Sequence, residues 1–167
     1  MSQGVMQMIC AWQELLGVLP LWLREDVDRQ GREDLQELRL RLGVKPELIT
    51  ARGVFYIERE VKAEDIRFCI NTAARYSPWA AAGMSKGYIT VQGGHRIGLC
   101  GDAAIKNGEV ISFREMTSLN IRIARDYIGI ASKLSSIHEN TLILGAPGWG
   151  KTTLLRDLTR KIGRAHV

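Results

Sequence analysis

The clearest pattern in the chain is a strict alternation over residues 35–42. Leu38, Leu40 and Leu42 share one face there, and Arg39 and Arg41 share the other. A period of two predicts a half-buried β-strand. Two further short strands are predicted at 47–50 and 53–57.

Helical periodicity is strongest over residues 62–76. The apolar stripe of this predicted helix consists of Ile66, Cys69, Ile70 and Ala73, a spacing that places them on one face. We also expect an amphipathic helix over 6–23, a charged short helix or connector over 24–32, and a second helix over 78–85.

Residues 87–124 have the pattern of hairpins. A strand at 87–91, a turn at 92–94 and a strand at 95–99 are followed by strands at 103–106 and 109–113, which flank Asn107-Gly108. Asn-Gly between alternating residues is a strong signal for a two-residue hairpin turn. A further strand is predicted at 118–124, and a helix at 126–136 with Asp126 as its N-cap. Residues 1–125 are therefore expected to form an α+β domain with an antiparallel sheet.

A different pattern begins at residue 140. A short apolar run at 140–144 predicts a buried strand, and Leu154, Leu155 and Leu158 predict the apolar face of a helix. The loop between them has the Walker A form, which is Gly, four residues, Gly, Lys and Thr. Strand, loop and helix in this order predict the start of an α/β P-loop NTPase domain of the AAA or RecA-like kind. We assign residues 126–160 to that domain.

The loop residues supply the groups that a nucleoside triphosphate needs. The candidate nucleotide-binding residues are Gly145, Ala146, Pro147, Gly148, Trp149, Gly150, Lys151, Thr152 and Thr153. Glycines let successive backbone N–H groups converge on an anion. Lys151 is the candidate catalytic cation for the β- and γ-phosphates, and Thr152 is the candidate catalytic hydroxyl that would bind Mg²⁺. The expected ligands are therefore ATP and magnesium.

Composition narrows the class of protein. Of 167 residues, 46% are hydrophobic and 25% are charged, which is typical of a soluble globular chain. The net charge of +5 is spread among interleaved acids and bases, without a basic and aromatic block, which disfavours nucleic-acid binding. Three widely spaced cysteines with no CxxC pair disfavour a zinc site and indicate a reducing cytoplasm. Residues 6–23 resemble neither a signal peptide nor a spanning helix, so peripheral membrane contact is the alternative to packing on the domain.

Three segments together resemble one known family. They are residues 87–99, residues 116–125 and residues 140–158, in that order, and the alternating strand around Arg39 and Arg41 also fits. The chain resembles the stage III sporulation protein AA family of endospore-forming bacteria over residues 35–160. The resemblance implies a hexameric ATPase related to secretion motors, on the cytoplasmic face of the mother cell's engulfing membrane. It would energise the channel proteins that link mother cell to forespore.

The resemblance also implies a role for arginines of the first domain. In related secretion ATPases such arginines reach phosphates across a subunit boundary, and Arg96, Arg122 and Arg125 are the candidates here. A guanidinium near the γ-phosphate stabilises developing charge. The alternative for each is an exposed strand arginine. Asn120 and His95 are interpreted as polar strand or turn residues.

The chain stops sixteen residues after Lys151. Hydrolysis needs a Walker B acid and a positioned water, which are expected tens of residues further on. We therefore expect a C-terminally truncated, inactive chain whose full-length form is an ATPase. Residues 161–167 match one translation of a short-read sequencing adapter, so we expect them to be non-native. The competing hypotheses are a P-loop protein that acts on nucleic acid and a nucleotide-binding fragment without activity.

Overall fold

The structure is a computed structural model that describes residues 6–75, 83–84, 86–132, 134 and 140–164. It is a mixed α/β structure with two antiparallel sheets. The chain divides into two compact units, a larger one of Ala11–Ala124 and a smaller one that joins Met1–Cys10 to Arg125–Val167. Residues 6–10 thus cluster with the segment that begins at Arg125.

The larger unit is built on a six-stranded antiparallel sheet of order β4-β3-β2-β7-β6-β5. The strands are β2 (Leu35–Arg41), β3 (Glu47–Thr50), β4 (Gly53–Tyr56), β5 (Tyr88–Thr90), β6 (Arg96–Lys106) and β7 (Glu109–Arg122). The predicted strands at 35–42, 47–50 and 53–57 are confirmed. The hairpin predicted at 87–99 is confirmed as β5 and the start of β6. The strands expected at 103–106, 109–113 and 118–124 are instead parts of two long strands, β6 and β7, joined at Asn107-Gly108. Asn107 and Gly108 have φ of 53° and 81°, which is the backbone that the turn requires.

One face of this sheet forms the core. Leu38 and Leu40 of β2, Ile97 of β6, and Leu119 and Ile121 of β7 have 0–2% of their surface exposed. Each fully buried side chain of this size contributes about 1.5–3 kcal/mol relative to exposure. Leu42, expected on the same face, is wrongly assigned, because β2 ends at Arg41 and Leu42 is 40% exposed.

The helices of this unit that lie in fully described segments include α1 (Trp12–Gly17), α2 (Leu21–Gly31) and α3 (Ala63–Arg75). The single helix expected over 6–23 is wrong, because Pro20 precedes a new helix that continues through the charged segment to Gly31. The helix predicted at 62–76 is confirmed as α3. Its Asp65 carboxylate accepts hydrogen bonds from the Lys62 N–H at 2.9 Å and from Nε1 of Trp22 at 2.8 Å. The helix expected at 78–85 lies largely outside the described residues.

The smaller unit begins with a two-stranded antiparallel sheet. Strand β1 (Gln7–Ile9) pairs with β8 (Asp126–Ile128). The helix expected over 126–136 is therefore wrong at its start, where Asp126 begins a strand. Gly129 follows with a φ of 87° and ends it.

The final helix, α4 (Lys151–Arg164), follows the glycine-rich loop. The segment before the loop, predicted as a buried strand at 140–144, has no strand hydrogen bonding, and Leu142 and Leu144 are about 80% exposed. A strand forms only where a neighbour pairs with it, and the described residues supply none to this segment. Among the described residues, no helix has the length and apolar character needed to cross a bilayer.

Candidate nucleotide-binding site

The glycine-rich loop leads directly into the N-terminus of α4. Its backbone turns at Ala146, whose carbonyl accepts a hydrogen bond from the Trp149 N–H at 3.3 Å. Gly148 and Gly150 have φ of 80° and 77°, a region that side chains other than glycine rarely adopt. The Leu154 N–H donates to the Gly150 carbonyl at 2.9 Å and so closes the first turn of the helix. The glycine spacing of the motif is therefore a backbone requirement of this loop.

Lys151 closes over the loop that it follows. Its Nζ donates to the carbonyl oxygens of Gly145 at 2.6 Å and Ala146 at 2.8 Å. The ring of Trp149 covers the same glycine, since a Cβ on Gly145 would lie 3.4 Å from its Cε3. The ammonium is thus held beside the loop backbone by two neutral acceptors. An anionic phosphate is a stronger acceptor for it than either carbonyl.

Thr152 lies in the first turn of α4 and is exposed. Backbone N–H groups of that turn have no partner within the helix, and the helix dipole favours an anion there. The described residues contain no group of three or more His, Cys, Asp or Glu side chains that could hold a metal ion by themselves. One hydroxyl fits a magnesium ion that takes its other ligands from phosphate oxygens and water.

Helix α4 is anchored to the segment that follows β8. The buried carboxylate of Asp157 accepts the Ala131 N–H at 2.9 Å. This hydrogen bond, with those from Gly129 and Arg160, holds the pKa of the Asp157 carboxyl below its ordinary value although burial opposes it. Arg160 also reaches the Asp126 carboxylate at 2.7 Å. The loop is therefore carried on a helix whose second half is fixed by charged groups.

The structure places two of the three candidate arginines side by side in the larger unit. Arg96 and Arg122 are cross-strand partners on β6 and β7, and both are exposed. The Arg96 guanidinium lies 3.8 Å from the centre of the Tyr88 ring. Arg125 belongs to the smaller unit, where its guanidinium lies 3.2 Å from Sδ of Met8.

Arg39 and Arg41 lie on the same face of the sheet as Arg96 and Arg122, but unlike those two they have acidic partners. Arg39 pairs with Glu37 and with Glu47, and Arg41 lies 2.6 Å from Glu47. They line a shallow depression of about 310 Å³ with Asn120, whose side chain is exposed on β7. Among the described residues, no carboxylate lies within 4.0 Å of the guanidinium of Arg96 or Arg122. The sequence pattern did not show that Arg39 and Arg41 have acidic partners whereas Arg96 and Arg122 do not, because this difference depends on the cross-strand register.

His95 also differs from its interpretation as a polar turn residue. It is completely buried, and both ring nitrogens contact the backbone. The pair Gly93-Gly94 before His95 indicated a tight turn, but the sequence did not show which residues this turn packs against.

Comparison with known proteins gives the family. The sequence model of the family described as "Sporulation stage III, protein AA" matches residues 12–166. The chain belongs to this family. The resemblance inferred from the three sequence segments is therefore confirmed.

Curated relatives extend beyond endospore-forming bacteria. The chain is 38% identical over 156 residues to "Stage III sporulation protein AA" of Bacillus subtilis, covering 88% of this chain and 51% of that protein. It is 28% identical to "Uncharacterized protein ycf45" of Porphyra purpurea, covering 89% of this chain and 24% of that protein. It is also 28% identical to "Protein SEEDLING PLASTID DEVELOPMENT 1" of Arabidopsis thaliana, and that match covers 90% of this chain and 21% of that protein. The chain thus spans about half the length of the bacterial relative and less than a quarter of the length of the other two.

Among solved structures, the chain resembles the X-ray structure of the Legionella pneumophila ATPase DotB. The TM-score is 0.48 at 14% sequence identity, and the match covers 86% of this chain and 42% of that chain.

Proposed function

We propose that the loop Gly145–Thr153 binds the phosphates of ATP together with Mg²⁺, and that the full-length protein hydrolyses ATP. The observation that carries this proposal is the loop itself. Two glycines with positive φ turn the backbone into a helix N-terminus, and the Lys151 ammonium lies over it on two neutral carbonyls. These are the parts of a phosphate cradle.

Binding then begins with an exchange of partners by Lys151. Its Nζ leaves the Gly145 and Ala146 carbonyls and bonds to phosphate oxygens, while the loop N–H groups and the α4 dipole face the same anion. Thr152 would supply the hydroxyl ligand of magnesium. That ion, when bound, would neutralise charge on the β- and γ-phosphates. Hydrolysis additionally requires a Walker B acid and a positioned water.

Arginines of the larger unit would act on a neighbouring subunit. We propose that the full-length protein assembles as a hexamer. In it, Arg96, Arg122 and Arg125 of one subunit would place positive charge near the phosphates bound in the loop of the adjacent subunit. The adjacent, carboxylate-free guanidinium groups of Arg96 and Arg122 support this role, because a guanidinium already paired with an acid is less available to phosphate.

Membership of the sporulation family suggests what the hydrolysis drives. We propose that the full-length protein lies on the cytoplasmic side of a membrane during endospore formation and energises a channel complex between mother cell and forespore. This proposal rests on the family name and on the ATPase activity proposed above.

Trp149 offers a direct assay of binding to this chain. It is 78% exposed beside the loop, so Mg²⁺–ATP should change its fluorescence. Lys151→Ala removes one charged partner of the phosphates, a contribution of about 1.5–3 kcal/mol, which predicts roughly 10- to 150-fold weaker binding by calorimetry.

Matched variants make this assay specific. Trp149→Phe should lose the fluorescence change while calorimetric binding persists. Lys161→Ala, on the same helix but bonded to the Leu134 carbonyl at 2.9 Å, should bind like the parent. Equal affinity of the parent and Lys151→Ala would contradict the assigned role of the loop.

A further inference from the structure

His95 lies where the chain enters and leaves the larger unit. Its side chain is 0% exposed. Its Nε2 lies 2.8 Å from the Ala11 carbonyl oxygen, and its Nδ1 accepts a hydrogen bond from the Ala124 N–H at 3.1 Å. Ala11 and Ala124 are the first and last residues of the unit. A single imidazole therefore joins two residues that are 113 positions apart in the sequence.

These contacts determine which ring nitrogen of His95 carries the proton. A backbone N–H can only donate, so Nδ1 must present its lone pair to Ala124. A neutral imidazole with a bare Nδ1 carries its proton on Nε2, which then donates to the Ala11 carbonyl. An imidazolium would direct a second N–H at the Ala124 N–H, so the arrangement admits the neutral ring alone.

The turn before His95 is shaped to meet the same two residues. Gly93 has a φ of 84°, and a Cβ there would lie 2.1 Å from the Cβ of Ala11. Gly94 has a φ of 82°, and its Cβ would lie 3.6 Å from that of Ala124. Glycine on one side and alanine on the other thus permit the close approach that brings the imidazole to both backbones.

The two segments that continue from Ala11 and Ala124 also pair with each other within the smaller unit. Strands β1 and β8 pair antiparallel there, and their last register pair is Ile9 with Asp126.

We propose that His95 is a protonation-sensitive clamp on the two segments through which the chain enters and leaves the larger unit. The neutral ring holds Ala11 and Ala124 together, and protonation releases Ala124. Within the larger unit, the titratable groups on the elements that join these residues are Glu14 of α1, Arg96 of β6 and Arg122 of β7. Glu14 is the carboxylate of this set, and the two arginines oppose a further positive charge. The clamp does not depend on nucleotide binding.

The direction of the pH effect follows from which state takes up the proton. The closed clamp has no site for a proton on Nδ1, whereas an opened, hydrated imidazole titrates with its ordinary pKa of about 6.5. The opening equilibrium is therefore independent of pH well above about pH 6.5, and opening becomes more favourable as the pH falls below that value. Each unit of pH in that range changes the opening equilibrium by up to about tenfold.

Nuclear magnetic resonance of the ¹⁵N-labelled chain tests this directly. Long-range ¹H–¹⁵N correlation at pH 8 should show the Nε2–H tautomer of His95. The exchange protection factor of the Ala124 amide should fall by up to about tenfold per pH unit between pH 6.5 and 5.5. The amide of Ile123 is the internal control, because it donates to the Gln36 carbonyl at 3.0 Å and should keep its protection.

Variants separate the clamp from general acid sensitivity. His95→Gln can still accept from Ala124 and donate to Ala11 but cannot titrate, so Ala124 should stay protected and lose its pH dependence. His95→Ala should lose that protection at every pH, and His138→Gln should behave like the parent. An Nδ1–H tautomer, a protected Ala124 beside a charged imidazole, or an unchanged pH dependence in His95→Gln would each overturn the proposal. Should either His95 variant fail to fold, the tautomer and titration of the parent decide it.

Discussion

Replacing Arg122 with glutamine should leave the larger unit equally stable or more stable. Arg122 lies directly opposite Arg96 on β6. On its other side it lies directly opposite Glu37 on β2, whose carboxylate is bonded to Arg39. Arg96 is compensated in part by the Tyr88 ring, 3.8 Å from its guanidinium carbon. In the described part of the chain, Arg122 makes no ion pair with any carboxylate.

The size of the effect follows from the pairing. Like charges directly opposite each other in a sheet are destabilising, and cross-strand pairs are worth about 0.2–1 kcal/mol. Arg122→Gln relieves this repulsion and keeps most of the aliphatic stem. It also removes the positive charge opposite Glu37, but that carboxylate is already bonded to Arg39, so the loss is small. The free energy of unfolding should therefore rise by about 0–1 kcal/mol. Arg41→Gln is the matched control, because it removes the partner of Glu47 at 2.6 Å. It should lower the free energy of unfolding by up to about 1 kcal/mol.

Urea unfolding of the parent and both variants, followed by circular dichroism, measures these differences. The expected result is opposite signs for Arg122→Gln and Arg41→Gln at unchanged m-values. In the full-length protein, Arg122→Gln should nevertheless lower kcat by about 10³-fold, since arginines of this kind contribute that much to phosphoryl transfer. A loss of more than about 1 kcal/mol in Arg122→Gln would show that this arginine has a structural partner, and the reasoning would fail.

Three further predictions concern other parts of the fold. Gly101→Ala should cost about 1–3 kcal/mol or more in urea unfolding, because a Cβ there would lie 1.9 Å from the backbone oxygen of Glu115; an unchanged midpoint would contradict that approach. The lowered pKa of Asp157 stabilises the docked α4 above the carboxyl's ordinary pKa of about 3.9, and this stability should be lost as the pH falls through the lower folded value. Asp157→Asn should flatten that acid dependence of thermal unfolding, and an unaltered acid limb would count against it. Burial raises the pKa of the Cys69 thiol to about 12, so fewer than about one in 10³ of these side chains is a thiolate at pH 8. A thiol reagent should therefore modify exposed Cys100 first, as mass spectrometry of the peptides would show, and faster labelling of Cys69 would contradict its burial.

Local patterns predicted the parts of the fold that local chemistry decides. The alternation around Leu38 and Leu40 identified β2 and its buried face. The Asn107-Gly108 turn was correctly predicted because its positive φ values favour those residue types. The apolar stripe of α3 was equally clear, with Ile66 and Cys69 both fully buried.

Long-range pairing explains what the sequence pattern missed. Asp126 has the residue type of a helix N-cap, but its segment pairs with β1 near the other end of the chain. Its carboxylate binds Arg160, which the sequence did not connect with it. The expected strand before the loop likewise depends on a neighbouring strand, and local hydrophobicity cannot supply one.

For the candidate site, the motif fixed the identity of the loop residues but not their contacts. The position of the Lys151 ammonium on the Gly145 and Ala146 carbonyls depends on the loop geometry. The juxtaposition of Arg96 and Arg122 depends on a register that passes through bulges between β6 and β7. Neither relation can be deduced from residue spacing alone.

The most direct measurement for the central claim is steady-state ATP hydrolysis by the full-length protein with and without Mg²⁺. We expect phosphate release that requires Mg²⁺, is abolished in Lys151→Ala and is unchanged in Lys161→Ala. Hydrolysis that survives Lys151→Ala would contradict the assignment of the loop Gly145–Thr153 as the nucleotide site.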